Sequence, residues 1–147
     1  MYRLLIVCTG NTCRSPMLET LIKDKVKKAN RVMEVKSVGL KVLEGDKVAD
    51  KARKALKKYG LVIRHKPTQI TDKALERADT VLTVTDDHKY YLRENKCAYK
   101  VFSLRETVGF NIPDPYGQTD NEYSKCAEAL EYASNEIVKK LIEAGKI

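Results

Sequence analysis

The sequence has no apolar run long enough to cross a membrane, no internal repeat and no linker-like stretch. Its first apolar segment, residues 4–8, is far shorter than a bilayer span. No signal-peptide cleavage pattern accompanies that segment. A chain of 147 residues can build one ordinary core but not two. We therefore expect a single domain over residues 1–147, located in the cytoplasm and not bound to a membrane.

Cysteine is scarce, with four residues in all: Cys8, Cys13, Cys97 and Cys126. A chain of this size needs no disulfide staples, which indicates a reduced protein. The four cysteines also do not form the two closely spaced pairs of a structural zinc site. We expect no metal and no organic cofactor, and we interpret Cys97 and Cys126 as structural or incidental.

Positive charge exceeds negative charge, since 28 Lys and Arg face 20 Asp and Glu, for a formal net charge of +8. Much of the excess falls in two runs with helical periodicity, over residues 23–28 and 51–58. Aromatic residues that could stack on bases do not interleave these runs. We interpret the runs as solvated helix faces and predict no nucleic-acid binding. The charge favours phosphorylated or acidic partners by long-range steering.

Short apolar runs alternate with amphipathic stretches along the chain. This alternation predicts a parallel sheet with helices on both faces. The predicted strands cover residues 4–7, 32–38, 80–84 and 101–102, and the predicted helices cover 15–29, 47–59, 71–77, 86–94 and 121–144. The fold class is therefore an α/β doubly wound sandwich of three layers with a four-stranded parallel sheet. Functional sites in such folds lie at the carboxyl ends of the strands.

The first strand is followed by the segment CTGNTCRS, in which Cys8 and Arg14 are separated by five residues. Backbone N–H groups of such a loop can surround a tetrahedral anion, and the start of the next helix adds partial positive charge. Arg14 supplies a planar fork for two phosphate oxygens. Gly10 allows close backbone approach, and Asn11 tolerates a left-handed turn. Residues 8–15 thus read as a phosphate-binding loop.

The same surroundings predict a reactive Cys8. A helix start and a nearby arginine lower the pKa of a thiol, so that the attacking thiolate is populated near neutral pH. Ser15 can donate a hydrogen bond to that thiolate. The bland alternative is a buried core cysteine at a strand end, which is common.

The segment VCTGNTCRSP, with Ser37-Val38-Gly39, Ala78-Asp79 and Asp114-Pro115-Tyr116, resembles the low-molecular-weight protein tyrosine phosphatases along nearly the whole chain. The resemblance implies that Cys8 is the nucleophile, that Arg14 binds phosphate and that Asp114 is the general acid and base. It implies further roles for residues that bind substrate (Thr9, Gly10, Asn11, Thr12, Cys13, Ser15 and Tyr116), support Asn11 (Ser37 and His65) or form a reversible disulfide (Cys8 with Cys13). From the residues alone, Asp114 in a Pro-Asp-Pro turn and His65 in a loop are equally compatible with ordinary loop positions, and Cys13 with a small core residue.

Thr12 points to one branch of that family. Tyrosine-specific members usually carry a bulky aliphatic residue here, whereas bacterial protein arginine phosphatases carry threonine. The segment TDDHK, residues 85–89, is similar to the arginine branch as well, while Tyr116 and Val38 depart from the usual Phe and Ala. The resemblance implies hydrolysis of phosphoarginine, and possible phosphotyrosine hydrolysis, through a phosphocysteine, on phosphorylated proteins and as a monomer.

Several alternatives remain open at this stage. Thr12 is also compatible with a tyrosine phosphatase proper. A thioredoxin-coupled arsenate reductase shares the fold but needs further cysteines after the third strand, where this chain has only Cys97 further on. A phosphocarrier or a catalytically silent phosphoprotein-binding module needs neither Arg14 nor Asp114.

Overall fold

The computed structural model describes residues 1–93 and 98–147. Four parallel strands form one sheet in the order β2-β1-β3-β4. The strands are β1 (Arg3–Cys8), β2 (Glu34–Gly39), β3 (Thr80–Thr83) and β4 (Val101–Ser103). The helices are α1 (Arg14–Lys28), α2 (Asp50–Lys57), α3 (Asp72–Arg77), α4 (Asp86–Leu92), α5 (Leu104–Val108) and α6 (Asp120–Glu143), with a 3-10 helix at Ala98–Lys100. The predicted α/β class with a four-stranded parallel sheet is confirmed.

Strand β1 lies in the middle of the sheet and is buried along almost its whole length. Its side chains alternate between the two faces: Leu4 and Ile6 join a core with α1 and α6, while Leu5 and Val7 join a second core with Val81. Both faces of the sheet are therefore covered, as a doubly wound sandwich requires.

The strand register brings the ends of three strands to one edge. Cys8, the last residue of β1, is paired with Gly39 of β2, and Val7 is paired with Thr83 of β3. The loops that follow these strands consequently meet at the carboxyl edge of the sheet. This edge carries the site described below.

Several predicted boundaries are wrong. The second helix begins at Asp50 rather than 47, because the Ala49 N–H donates to the Thr12 carbonyl over 2.9 Å instead of extending the helix. The second strand begins at Glu34, and Val32 before it is 69% exposed. Helix α5 was not predicted; its five residues are too few to show a helical period, although Ser103 and Glu106 form a capping box. The helix predicted to reach residue 94, and Cys97, extend outside the described residues.

Within the described residues, no helix is both long and apolar enough to cross a membrane. Over the same ranges, 1–93 and 98–147, no cluster of three or more His, Cys, Asp or Glu side chains could hold a metal ion.

Candidate active site

A cavity of about 420 Å³ opens at the carboxyl edge of the sheet. It is lined by seven successive residues from the end of β1 to the start of α1 and by residues of two other loops: Cys8, Thr9, Gly10, Asn11, Thr12, Cys13, Arg14, Lys41, Leu43, Asp46, Asp114 and Tyr116. The structure therefore gathers most of the sequence-predicted site residues around one cavity. Ser15, Ser37 and His65 contact the loop through hydrogen bonds, described next.

Asn11 holds the loop in its curled form. Its backbone φ is +58°, a left-handed conformation that asparagine tolerates better than most residues, and its side chain is fully buried. The Thr68 N–H donates to Asn11 Oδ1 over 2.8 Å, which fixes the orientation of the amide. Asn11 Nδ2 therefore donates, over 2.7 Å to Ser15 Oγ and over 3.0 Å to Ser37 Oγ.

These bonds set the direction of the Ser15 hydroxyl. Ser15 Oγ accepts from the Asn11 amide, so its own proton is free to donate to Cys8 Sγ, 2.7 Å away. The Asn11 N–H also donates to Cys8 Sγ, over 3.3 Å. Two donors thus converge on the sulfur: the Ser15 hydroxyl, as the sequence predicted, and the Asn11 N–H.

His65 contacts the other side of the Asn11 amide. His65 Nε2 lies 2.6 Å from Asn11 Oδ1, and because that oxygen only accepts, Nε2 carries the proton. His65 Nε2 also lies 3.5 Å from Ser37 Oγ. Burial lowers the pKa of His65, and the nearby Glu19 carboxylate opposes that change by raising it. The two residues expected to support Asn11 both lie against it.

The predicted lowering of the Cys8 pKa is wrong in direction. Cys8 is 3% exposed, and this burial, the largest contribution, raises the pKa of its thiol above the ordinary value. Hydrogen bonding to Ser15, the charge of Arg14 and the Asn11 N–H lower it, but less. Sequence spacing identified the groups that stabilise the thiolate and did not show how completely the sulfur is enclosed.

Arg14 links the loop to the segment that carries Asp114. The guanidinium Nη1 donates to the Ile112 carbonyl over 3.0 Å, and Nη2 lies 3.6 Å from Asp114 Oδ2. Arg14 is buried, whereas the Asp114 side chain is 53% exposed. The Tyr116 N–H donates to Asp114 Oδ1 over 3.0 Å, and flanking prolines stiffen this turn. A buried cation and a half-exposed carboxylate therefore border the same cavity.

The three cysteines within the described residues, Cys8, Cys13 and Cys126, are free and buried. Cys13 Sγ lies 3.3 Å from the hydroxyl of Tyr123 and 3.6 Å from Thr12 Oγ1. Burial raises the pKa of Cys126 to about 12, which makes it unreactive at neutral pH. This is compatible with the interpretation of Cys126 as structural.

The mouth of the cavity includes residues that the sequence reading missed. Lys41, Leu43 and Asp46, which were not predicted, come from the loop after β2, whereas Tyr116, which was predicted, lies on the turn that carries Asp114. Leu43 is 60% exposed and Tyr116 is 70% exposed, so both present apolar surface to a ligand. Lys41, Leu43 and Asp46 could have been predicted from the rule that sites lie at the carboxyl ends of parallel strands.

His88 was also missed as a site residue. Its Nε2 lies 2.8 Å from Thr9 Oγ1, and its Nδ1 lies 2.9 Å from Thr85 Oγ1. Burial is the main cause that lowers the pKa of His88 to about 4, and the charge of Arg14 adds to it. The imidazole is therefore neutral at neutral pH. The available signals were the resemblance of residues 85–89 to the arginine branch and the place of His88 shortly after the end of β3.

Comparisons with known proteins agree with this geometry. The family model described as low molecular weight phosphotyrosine protein phosphatase matches residues 3–146. A protein-arginine-phosphatase of Geobacillus stearothermophilus is 34% identical over 145 residues, which cover 95% of this chain and 96% of that relative.

Solved structures match equally well. A low molecular weight protein tyrosine phosphatase from T. tengcongensis superposes with a TM-score of 0.91 at 37% identity, covering 96% of this chain and 100% of the other. A mutant of the YwlE arginine phosphatase with a phosphorylated active site serine gives a TM-score of 0.90 at 30% identity, covering 95% of each chain. The chain belongs to the low molecular weight phosphotyrosine protein phosphatase family and is a cysteine-dependent protein phosphatase.

Proposed function

We propose that this phosphatase hydrolyses phosphoarginine in proteins, with phosphotyrosine as the second substrate. The observation that carries the proposal is the position of Thr12, which lines the same cavity as Cys8. A hydroxyl can accept a hydrogen bond from the planar, donor-rich guanidinium group, whereas a bulky aliphatic side chain favours a phenyl ring. The relatives named arginine phosphatases support the same assignment.

The first chemical step transfers the phosphoryl group to Cys8. The thiolate of Cys8 attacks phosphorus, an S–P bond forms and the P–N bond of phosphoarginine breaks. Asp114 gives its proton to the departing nitrogen, which keeps the electron pair of the P–N bond, so that the arginine side chain leaves with its guanidinium group intact. Arg14 and the N–H groups of the loop hold the negative charge that develops on the phosphoryl oxygens.

The second step hydrolyses the phosphocysteine and regenerates the free enzyme. Asp114, now a carboxylate, takes a proton from water, the water oxygen attacks phosphorus and the S–P bond breaks. Sulfur leaves as a thiolate that receives hydrogen bonds from Ser15 Oγ and from the Asn11 N–H. Neither step needs a metal or an organic cofactor, because the phosphoryl acceptor, acid and cation are all side chains.

Phosphotyrosine is the second candidate because of the cavity mouth. Tyr116 and Leu43 are both largely exposed there, and a phenyl ring can lie against them. An aromatic face binds a guanidinium group as well, by cation–π attraction. Tyr116 therefore accommodates both substrates, and Thr12 is the residue that we assign to the choice between them.

We also propose the setting in which the activity operates: a single-domain monomer acting on phosphorylated proteins in the cytoplasm. The match of one family model to residues 3–146 supports the single domain. Relatives named as protein phosphatases support protein substrates.

The test compares two substrates on the unmutated protein. Peptides of one sequence, carrying either phosphoarginine or phosphotyrosine, are assayed for kcat/KM at the same pH. The proposal predicts a higher kcat/KM for the phosphoarginine peptide. A higher value for the phosphotyrosine peptide, or no turnover of phosphoarginine, overturns the proposed substrate.

Variants of Thr12 then identify the selector. Thr12→Ile should lower the ratio of phosphoarginine to phosphotyrosine turnover, because it removes the hydroxyl and narrows the cavity. Thr12→Val is the matched control, since it removes the hydroxyl with little change of volume, and Thr12→Ser retains the hydroxyl. If the ratio does not fall in Thr12→Ile, Thr12 is not the selector.

A further inference from the structure

A chain of hydrogen bonds joins α4 to the loop that carries the nucleophile, and the proposed mechanism leaves it unused. His88 lies between Thr85, which caps the start of α4, and Thr9, which directly follows Cys8. The imidazole is 6% exposed, and both of its nitrogens lie within hydrogen-bond distance of a threonine hydroxyl. Thr9 is exposed and lines the cavity. This chain of hydrogen bonds therefore ends at the substrate site.

The backbone of Thr9 is fixed as well. The Lys41 N–H donates to the Thr9 carbonyl over 2.9 Å, which ties the residue to the loop after β2. At the other end of the chain, Thr83 Oγ1 donates to the Thr85 carbonyl over 2.8 Å, at the end of β3. Thr9 is thus held through its main chain from one side and through its hydroxyl from the other. A side chain that is held in this way presents its oxygen in a defined direction.

An ordinary packing role does not account for an imidazole at this position. Burying a polar ring is unfavourable unless its nitrogens find partners, whereas an aliphatic side chain would fill the space without that requirement. The neighbourhood of Arg14 also disfavours a charged imidazole, and Asp87 and Asp114 favour it less strongly than burial opposes it. What histidine adds over a hydrocarbon is a directed hydrogen bond to Thr9.

We propose that His88 is a positioning residue that holds the Thr9 hydroxyl ready to contact the guanidinium group of phosphoarginine. This inference rests on the proposed function. A hydroxyl oxygen has two lone pairs and one proton, so after one bond with His88 it can still accept from a guanidinium N–H in either tautomer of the ring. A phenyl ring has no N–H to give. The pair Thr9–His88 therefore contributes more to phosphoarginine turnover than to phosphotyrosine turnover.

The test uses matched pairs of variants and the ratio of kcat/KM for the two peptides described above. Thr9→Val removes the hydroxyl and Thr9→Ser retains it. His88→Gln places an amide where Nε2 reaches Thr9, whereas His88→Asn reaches only toward Thr85. We expect Thr9→Val and His88→Asn each to lower the phosphoarginine to phosphotyrosine ratio by about tenfold, the effect of one net hydrogen bond. Thr9→Ser and His88→Gln should restore most of it.

The double variant Thr9→Val/His88→Asn distinguishes positioning from general damage. If His88 acts through Thr9, the double variant loses no more of the ratio than Thr9→Val alone, because contacting residues that act together are not additive. Losses that multiply, or a Thr9→Val protein whose ratio is unchanged, overturn the inference.

Folding failure and failure of the proposed function remain distinguishable. Thr9 is exposed, so its variants decide the question even if the His88 variants do not fold: an unchanged ratio in Thr9→Val rejects the inference, and a reduced ratio that Thr9→Ser restores supports it. If the unmutated protein turns over no phosphoarginine, the proposed function fails and the inference fails with it. If the unmutated protein hydrolyses phosphoarginine but the losses of the two single variants multiply in the double variant, only the inference fails.

Discussion

Ser15 Oγ lies 2.7 Å from Cys8 Sγ, and the Asn11 amide occupies the same oxygen as a donor. The serine proton is therefore left for the sulfur. The bond stabilises the thiolate, both as the attacking group and as the group that leaves when the phosphocysteine is hydrolysed. It offsets part of the burial that raises the pKa of Cys8.

Ser15→Ala should raise the pKa of Cys8 further and move the rising limb of the kcat/KM profile to higher pH. Loss of a hydrogen bond to a charged group should slow hydrolysis of the phosphocysteine by about 10- to 100-fold. The pH dependence of Cys8 alkylation by iodoacetamide reports the pKa directly. Ser134→Ala is the control, because Ser134 Oγ donates to the Glu131 carbonyl of its own helix, away from the nucleophile loop. An alkylation profile that is identical in Ser15→Ala and the unmutated protein would show that this bond does not act on the sulfur.

Gly39 packs against the nucleophile loop, where there is no room for a side chain. A Cβ at this position would lie 2.6 Å from the Thr9 carbonyl oxygen and 2.8 Å from Val42 Cγ2, closer than such atoms approach. Gly39→Ala should therefore displace the loop, destabilise the protein by about 1–3 kcal/mol and lower kcat/KM by up to about 100-fold.

Gly60→Ala provides the control for this substitution. Gly60 has a φ of +73°, and among the described residues other than its chain neighbours no atom lies within 4 Å of where a Cβ would be, so alanine there strains the backbone without touching the loop. It should lower the unfolding temperature while kcat/KM, measured well below that temperature, stays unchanged. Equal losses of kcat/KM in both variants would mean that the Gly39 effect is general destabilisation.

The nucleophile loop could be predicted because it is one continuous segment. Five residues separate Cys8 from Arg14, between a buried strand and a helix, and this spacing together with Gly10 and Asn11 indicates an anion site. The partners of the loop could not be found in the same way. Thr68 and Lys41 reach it from two other loops and His88 from helix α4, and their meeting depends on the register of the strands, which periodicity does not give.

The burial of the Cys8 sulfur could not be predicted from the sequence either. The charges and dipoles near Cys8 can be inferred from neighbouring residues, but the enclosure of its sulfur depends on side chains from distant elements. That enclosure reverses the predicted direction of the pKa change. Helix α5 was missed for a related reason, because its stability comes from the Ser103–Glu106 cap and from packing rather than from a visible period.

His88 should make the stability of the protein depend on pH. The pKa is lowered from 6.5 to about 4 in the folded protein, so between these values the unfolded chain binds a proton that folded His88 does not. The free energy of unfolding therefore falls as the pH drops through this window, by about 3 kcal/mol in total from this group. Urea denaturation across the window should show a shallower fall in His88→Gln. Parallel curves for the two proteins would contradict a neutral, buried His88.

Cys13 should protect Cys8 against irreversible oxidation. Hydrogen peroxide converts the Cys8 thiolate to a sulfenic acid with release of hydroxide, and the Cys13 thiol then displaces water to form a disulfide. Peroxide should inactivate both the unmutated protein and Cys13→Ser, but dithiothreitol should restore full activity only to the unmutated protein. Cys126→Ala, at a buried thiol with a pKa of about 12, should recover like the unmutated protein. Equal recovery of Cys13→Ser would contradict the disulfide.

The central claim is that the phosphoryl group passes through Cys8, and trapping it tests that claim most directly. Asp114→Asn can still accept a phosphoryl group from p-nitrophenyl phosphate, whose leaving group needs no acid, but it lacks the base for hydrolysis and should turn over about 10²- to 10⁴-fold more slowly. Mass spectrometry of the quenched Asp114→Asn protein should find one phosphoryl group on the peptide that contains Cys8, and none in Asp114→Asn/Cys8→Ala. Continued turnover by Cys8→Ala, or a phosphoryl group on another residue, would contradict the account.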